Sequence, residues 1–216
     1  MIVVIQCASR KRADAGRFKS PDGASIIFVA DPLKAPPAED CIYARPDDQA
    51  KTGMTWRELL WSYNQTGSNR FGLLPAYRLY ENLTYGQLVD RFGLDKVYIL
   101  SAGWGLIGAT FLTPYYDITF SPNAESYMRR RKADRYSDFC MLQLSLNEPI
   151  VFLGGKDYIP LFCALTKSVV GKRTVFYNSA QPPAAPGCVL ERFETPTRTN
   201  WHYECAKEII TKQGNQ

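Results

Sequence analysis

Residues 97–108 read VYILSAGWGLIG, and this stretch decides the fold class of the chain. Its first four residues form a compact apolar run of strand length, and a small, glycine-rich segment follows at once. Such a run is typical of a parallel strand that is buried on both faces of its sheet. Similar apolar runs recur at residues 2–5, 26–29, 150–153 and 174–177. The sequence therefore predicts several short buried strands.

Helical patterns lie between these strands. In residues 54–63, Trp56, Leu59, Leu60 and Tyr63 recur at the spacing that places them on one helix face. Thr84 and Gln87 have the spacing of a capping box. Further helices are predicted at 75–83, 84–92, 158–169 and 199–211. Strands that alternate with helices predict an α/β protein, a three-layer α/β/α fold with a mostly parallel central sheet, formed by residues 1–216 as one domain.

The composition is that of a globular protein: hydrophobic residues make up 45% of the 216 residues and charged residues 22%. No apolar run reaches the roughly 18 residues of a membrane span, and the N-terminus lacks the pattern of a signal peptide. We therefore expect a cytoplasmic protein without a membrane partner, with a monomer favoured. Six cysteines at irregular gaps and the single His202 predict reduced thiols and no metal site.

Chemistry in a parallel sheet is expected beyond the carboxyl ends of the strands. There the sequence places small and cationic residues, which we take as candidates for substrate binding (Cys7, Ser9, Gly155, Tyr158) and for DNA binding (Lys11, Arg12, Lys156). The segment 154–156, Gly-Gly-Lys, is compatible with a phosphate-binding turn. It is equally compatible with a tight turn between strand and helix. It lacks the spacing of a Walker A loop.

Asp117 is the candidate general base. It follows Tyr115 and Tyr116, and aromatic surroundings can raise the pKa of a carboxylate into the range that suits proton transfer. The alternative is an aspartate that accepts a hydrogen bond from a local backbone N–H in a turn.

The clearest basic segment is 129–135, which carries Arg129, Arg130, Arg131, Lys132 and Arg135. On a helix, these side chains suit contact with a phosphate backbone. The alternative is a solvated helix face.

For three further residues, the sequence allows both a structural and a functional interpretation. Arg57 points off the apolar face of the helix predicted at 54–63, and Asn64 closes that helix. The alternative is that both line a site, where an asparagine can pair with a base edge. His202 is either a structural side chain or a general acid at the start of the last helix.

Several segments together resemble the YaaA-like superfamily, including its short uncharacterised members. They are Cys7, Ser9 and Lys11 after the first strand, residues 77–80, the stretch 97–107 and the segment 113–117. In that family a strand ends in Leu-Ser-Ala/Gly-x-Tyr-Gly-Leu, and a Pro-Tyr-Asp or Pro-Tyr-Arg segment follows. Here Trp104 stands in place of the usual tyrosine, and one extra tyrosine enters the second motif. The resemblance covers roughly two thirds of the chain.

The resemblance implies DNA binding and a fold like that of uracil-DNA glycosylases, without their Gly-Gln-Asp-Pro-Tyr-His and His-Pro-Ser motifs. It supports Ser101, Trp104 and Asp117 as site residues. In our leading hypothesis Asp117, Ser101 and His202 are the catalytic candidates, Trp104, Tyr115 and Tyr116 stack on an extruded base, and Arg129, Arg130 and Arg131 hold the backbone.

This hypothesis is a DNA glycosylase, without a cofactor, that excises a modified base such as hydroxymethylated or glucosylated cytosine, with defence against phage as the suggested setting. Two alternatives stay open at this point. One is a non-enzymatic DNA-binding protein of the stress-response kind, and the other is an enzyme that acts on a free nucleotide or nucleoside.

Overall fold

The computed structural model describes residues 1–50, 53–143, 145 and 147–212. Its strands are β1 (Ile2–Gln6), β2 (Ser25–Val29), β3 (Cys41–Ala44), β4 (Leu74–Pro75), β5 (Val97–Ser101), β6 (Gly105–Gly108), β7 (Leu112–Thr113), β8 (Tyr116–Asp117), β9 (Phe139–Cys140), β10 (Ile150–Leu153), β11 (Arg173–Tyr177) and β12 (Val189–Arg192). Its helices are α1 (Trp56–Gln65), α2 (Ala76–Leu79), α3 (Thr84–Phe92), α4 (Ile159–Thr166) and α5 (Trp201–Lys212).

A seven-stranded sheet forms the centre of the molecule, in the order β12-β11-β10-β1-β5-β6-β9. The five strands from β12 to β5 are parallel to one another, whereas β6 is antiparallel to β5. β1 and β10 are almost completely buried, as their continuous apolar runs predict. The prediction of an α/β fold with a mostly parallel central sheet is confirmed.

Helices cover both faces of this sheet. α3 contacts β1 and β5 and packs against α5, which contacts β10, whereas α4 contacts β6. The chain moves from β1 to β5 in one direction and from β10 to β11 in the other. Right-handed crossovers in opposite directions place their helices on opposite faces, which gives the predicted three layers. No helix within the described residues is long and apolar enough to cross a membrane.

The predicted strand at 26–29 belongs to a different sheet. β2 pairs in parallel with β3 and with the short β8, and this small sheet lies apart from the large one. Phe28 of β2 packs edge-on against Trp104, with 4.9 Å between ring centroids. One hydrophobic cluster therefore extends through the large and the small sheet.

Two buried arginines hold the turn that follows β5. Arg57 of α1 donates to the carbonyl oxygens of Gly103 (3.0 Å) and Trp104 (3.2 Å), and Arg130 donates to that of Ala102 (2.8 Å). Asp47 accepts from Arg57 at 2.5 Å, and Asp138 accepts from Arg130 at 2.8 and 2.6 Å. The carbonyl groups of this turn, within the stretch 97–108, thus accept hydrogen bonds from side chains that are distant in sequence.

Candidate functional site

A cleft of about 1020 Å³ opens beyond the carboxyl ends of β1 and β10. The chain goes from β1 to β5 on one side and later returns to β10 on the other, so the crevice between β1 and β10 is the switch point of this sheet, where ligands of open α/β folds bind. We call this cavity the main cleft. Its wall includes Gln6, Cys7, Ala8, Ser9, Arg10, Glu81, Asn82, Ile118, Thr119, Ser121, Pro122, Asn123, Ala124, Glu125, Met128, Gly155, Asp157, Tyr158, Asn200 and Tyr203.

Gln6 fixes one wall of the main cleft. Its side-chain oxygen accepts a hydrogen bond of 2.6 Å from the backbone N–H of Gly155, which joins the ends of β1 and β10. The Tyr85 hydroxyl donates to the Gln6 carbonyl at 2.8 Å and lies 3.2 Å from the hydroxyl of Tyr203 in α5. A Cβ atom at Gly154 would lie 2.5 Å from the Phe152 ring. Gly154 is therefore required for packing, and the Gly155 N–H is not free for a phosphate.

Cys7 is a buried residue that lines the main cleft beside a second buried side chain. The Tyr158 hydroxyl lies 3.3 Å from Cys7 Sγ, and the Ala102 N–H donates to the same sulfur at 3.5 Å. Burial raises the pKa of Tyr158 well above its usual value, so its hydroxyl stays protonated and able to donate. The structure thus brings Cys7, Ser9, Gly155 and Tyr158 together in one cavity, where the sequence placed substrate binding.

Ser101 serves the turn after β5 and does not line the cleft. Its hydroxyl donates to the Tyr116 hydroxyl at 2.8 Å and accepts from the N–H groups of Gly103 (3.2 Å) and Trp104 (3.1 Å). The Tyr116 hydroxyl also lies 2.8 Å from that of Tyr80. These bonds occupy Ser101, and the geometry gives no support to a catalytic role.

The stacking platforms expected from the sequence are not on the cleft wall. Trp104 and Tyr116 are both 0% exposed, so neither ring has a face open to a base. Tyr115 is partly buried and lies under Arg17, with 4.5 Å between the guanidinium carbon and the ring centroid. The aromatic side chains that line the cleft are instead Tyr158 and Tyr203.

Asp117 does not line the main cleft and lies next to a buried lysine. Its Oδ1 is 3.8 Å from Nζ of Lys11, which also donates to the Ser9 carbonyl at 3.2 Å and lies 4.3 Å from the Tyr116 ring centroid. Burial lowers the pKa of Lys11, while nearby Cys7 and Asp117 oppose this shift. Lys11 is thus a buried side chain that the sequence assigned to DNA contact, and Asp117 is its partner.

The basic segment is not a helical face. Residues 121–135, all within the described ranges, contain no helix, and Arg130 is buried in its ion pair with Asp138. Arg131 pairs with Asp134, and Arg129 donates to the Pro122 carbonyl at 3.2 Å. Local partners therefore engage the three arginines that the sequence assigned to DNA. Arg12, also assigned to DNA, pairs with Asp14.

The remaining predicted site residues have structural contacts. Arg57 is buried, contrary to its predicted position off the apolar face of α1, because it bonds the turn after β5. Asn64 forms bonds of 2.7 and 3.0 Å with the backbone of Leu112 and so holds β7. His202 is buried and does not line the main cleft, and its Nε2 has no hydrogen-bond partner among the described residues. Burial lowers the pKa of His202 to about 4.

The charged side chains of the main cleft were not singled out from the sequence. Glu81, Glu125 and Asp157 carry negative charge there, and Arg10 carries positive charge. Asp157, whose side chain is 29% exposed, lies 3.6 Å from Nζ of Lys132. It also lines a second pocket of about 300 Å³ beside the main cleft. The sequence signal that could have indicated Asp157 is its position two residues after the Gly-Gly turn at the end of a predicted strand.

Comparison of the chain with protein-family models, with curated proteins and with solved structures finds no match in any of the three. Fold and site alone define the class: an α/β protein with a mostly parallel sheet and a polar, ligand-sized cleft at its switch point. No group of three or more His, Cys, Asp or Glu side chains in the described ranges is placed to hold a metal ion. The resemblance to the YaaA-like superfamily stays a prediction.

Proposed function

We propose that the main cleft receives a base extruded from DNA and that the protein hydrolyses the N-glycosidic bond of that nucleotide, with a modified base such as hydroxymethylated or glucosylated cytosine as the substrate. The observation that carries the proposal is the cleft itself: its volume is at the upper end of the range for ligand pockets and leaves room for a nucleoside, and amide and hydroxyl side chains line it. Such groups pair with the edges of a flipped base. The YaaA-like resemblance and a role in phage defence are part of this proposal.

Asp157 takes the role that the sequence assigned to Asp117. Its carboxylate lines the cleft, whereas Asp117 does not line it. A carboxylate at this place can activate water or stabilise the positive charge that develops on the sugar as the bond breaks. Tyr158 beside Asp157 supplies a protonated hydroxyl that can donate to the substrate.

The test compares Asp157→Asn with Asp117→Asn. Wild-type protein is incubated with unmodified DNA, uracil-containing DNA and DNA that carries hydroxymethylated or glucosylated cytosine. Alkali-labile abasic sites are scored, and released bases are identified by mass spectrometry. We expect Asp157→Asn to lower the rate at least about a hundredfold, the usual scale of general acid–base catalysis. Asp117→Asn should retain activity in proportion to its folded fraction, measured by thermal melting.

Two outcomes would overturn parts of this proposal. If no DNA substrate yields abasic sites, the glycosylase is wrong, and DNA that is bound but unbroken indicates a binding protein. If folded Asp117→Asn loses activity and Asp157→Asn keeps it, the glycosylase stands and the assignment of Asp157 is wrong.

One observation favours a second candidate, an enzyme that acts on a free nucleoside or nucleotide. The three arginines expected to hold DNA have local partners, and the cleft itself carries three carboxylates against one cation. Release of a base from free nucleosides or nucleotides, with no release from DNA, would establish this alternative.

A further inference from the structure

The second pocket lies directly beside the main cleft. It opens beyond the carboxyl ends of β10 and β11, and Gly155 and Asp157 line both cavities. Its volume of about 300 Å³ is under a third of that of the main cleft. A group bound here is therefore the immediate neighbour of whatever occupies the main cleft.

Two cationic side chains from different loops line this pocket. Lys156 follows β10, and Arg198 precedes α5. Both are exposed, and neither forms an ion pair within the part of the chain that the structure describes. Lys132, by contrast, pairs with Asp157, which lines both cavities.

Two backbone N–H groups beside the second pocket are left without a hydrogen-bond acceptor among the described residues. In the turn after β10, Gly155 N–H bonds Gln6 and Tyr158 N–H bonds the Gly155 carbonyl at 3.0 Å. The N–H groups of Lys156 and Asp157 have no acceptor among the described residues. Across the pocket, the Asn178 side chain donates to the Thr197 carbonyl at 3.0 Å, which holds the segment before Arg198 against the end of β11.

We infer that the second pocket is an anion subsite that binds the phosphate next to the nucleotide whose base enters the main cleft. Lys156 and Arg198 supply positive charge, and the two backbone N–H groups without an acceptor add hydrogen-bond donors at the same turn. The pairing of Asp157 with Lys132 reduces the repulsion that its carboxylate would exert on a phosphate. This inference rests on the proposed function for the identity of its ligand, and it makes the substrate a phosphorylated nucleotide or a strand, not a bare nucleoside.

The first experiment measures the binding of inorganic phosphate to the whole chain and does not depend on enzymatic activity. Binding is measured by isothermal titration at constant ionic strength for wild type, for Lys156→Ala/Arg198→Ala and for the control Lys167→Ala/Lys207→Ala, whose two exposed lysines line neither cavity. We expect the first double variant to bind phosphate about tenfold or more weakly, since it loses two charge-assisted donors. The control should bind as wild type does.

The second experiment separates this inference from the proposed function. Binding of an abasic-site oligonucleotide is titrated at several salt concentrations, and we expect the slope of log K against log salt to fall by about one in the double variant, because the subsite holds a single phosphate. Equal phosphate binding by wild type and double variant would refute the subsite, whatever the enzyme does. Selective loss of phosphate binding in a protein without glycosylase activity would support the subsite and reject the proposed reaction.

Discussion

At the scale of single residues, burial decides which titratable groups are available for chemistry. His202 is the only histidine of the chain and starts the last helix, which made it a candidate acid. Its ring lies 4.1 Å from that of Tyr203, and burial lowers its pKa to about 4. A histidine that is neutral throughout the physiological range does not act as a proton donor there.

The same shift makes His202 a source of pH-dependent stability. Between the unfolded pKa of about 6.5 and the folded value of about 4, the unfolded chain binds more protons than the folded protein, so stability falls as the pH falls through this window. The loss approaches about 3 kcal/mol at pH 4. The free energy of unfolding is measured with denaturant for wild type and His202→Phe at pH 7 and pH 4. Its decrease between these two pH values should be smaller in the variant by about 3 kcal/mol. Parallel pH profiles would mean that His202 is not buried in its neutral form.

At the scale of elements, the sequence predicted local features well and missed features that distant residues decide. α1 begins at a capping box of Thr55 and Glu58. Leu60 and Tyr63 of its predicted apolar face are buried, whereas Trp56 and Leu59 of that face are only partly buried. The capping box expected at Thr84 and Gln87 does not form, because the Asn82 side chain accepts from the Thr84 N–H instead. Nothing in the local pattern favours one of these acceptors over the other.

Two further predicted elements differ for long-range reasons. The helix expected at 75–83 ends at Leu79, where Tyr80 forms a β-bridge with Lys11. The segment 129–135 is not helical, because Arg129 bridges to Thr119 and Arg130 turns inward to Ala102 and Asp138. A run of arginines predicts a solvated face from composition alone, and only the fold shows that one of them is buried with a partner.

The turn after β5 therefore depends on an ion pair in the core. Asp138→Ala would leave the Arg130 guanidinium buried without its carboxylate, and such a loss costs about 3–5 kcal/mol. Asp134→Ala removes the exposed pair with Arg131 and should cost about 1 kcal/mol or less. Urea unfolding of the two variants measures both values. Equal, small losses would show that Arg130 does not hold the turn.

At the scale of the whole molecule, the position of the site followed from topology, whereas its chemical groups did not. Short apolar runs placed Cys7, Ser9, Gly155 and Tyr158 at one sheet edge, and the structure brings them into one cleft. The Gln6–Gly155 bond spans 149 positions, and several residues of 118–128, the segment that follows β8 of the small sheet, line the cleft. Contacts of that separation leave no periodic trace, which is why Asp157 was not preferred to Asp117.

The shared hydrophobic cluster leads to a prediction about the whole chain, since the sequence predicts one domain. Phe28 is fully buried in the small sheet, in contact with Trp104 at the end of the large one. Phe28→Ala should destabilise both sheets together by about 3–5 kcal/mol, whereas Leu33→Ala, at a side chain 96% exposed, should change little. Tryptophan fluorescence and far-ultraviolet circular dichroism should then report one coincident transition in wild type and in Phe28→Ala. Two separate transitions, with only one shifted by Phe28→Ala, would mean that the small sheet unfolds on its own and that the main cleft, which Ile118 and Thr119 help to form, opens before the large sheet unfolds.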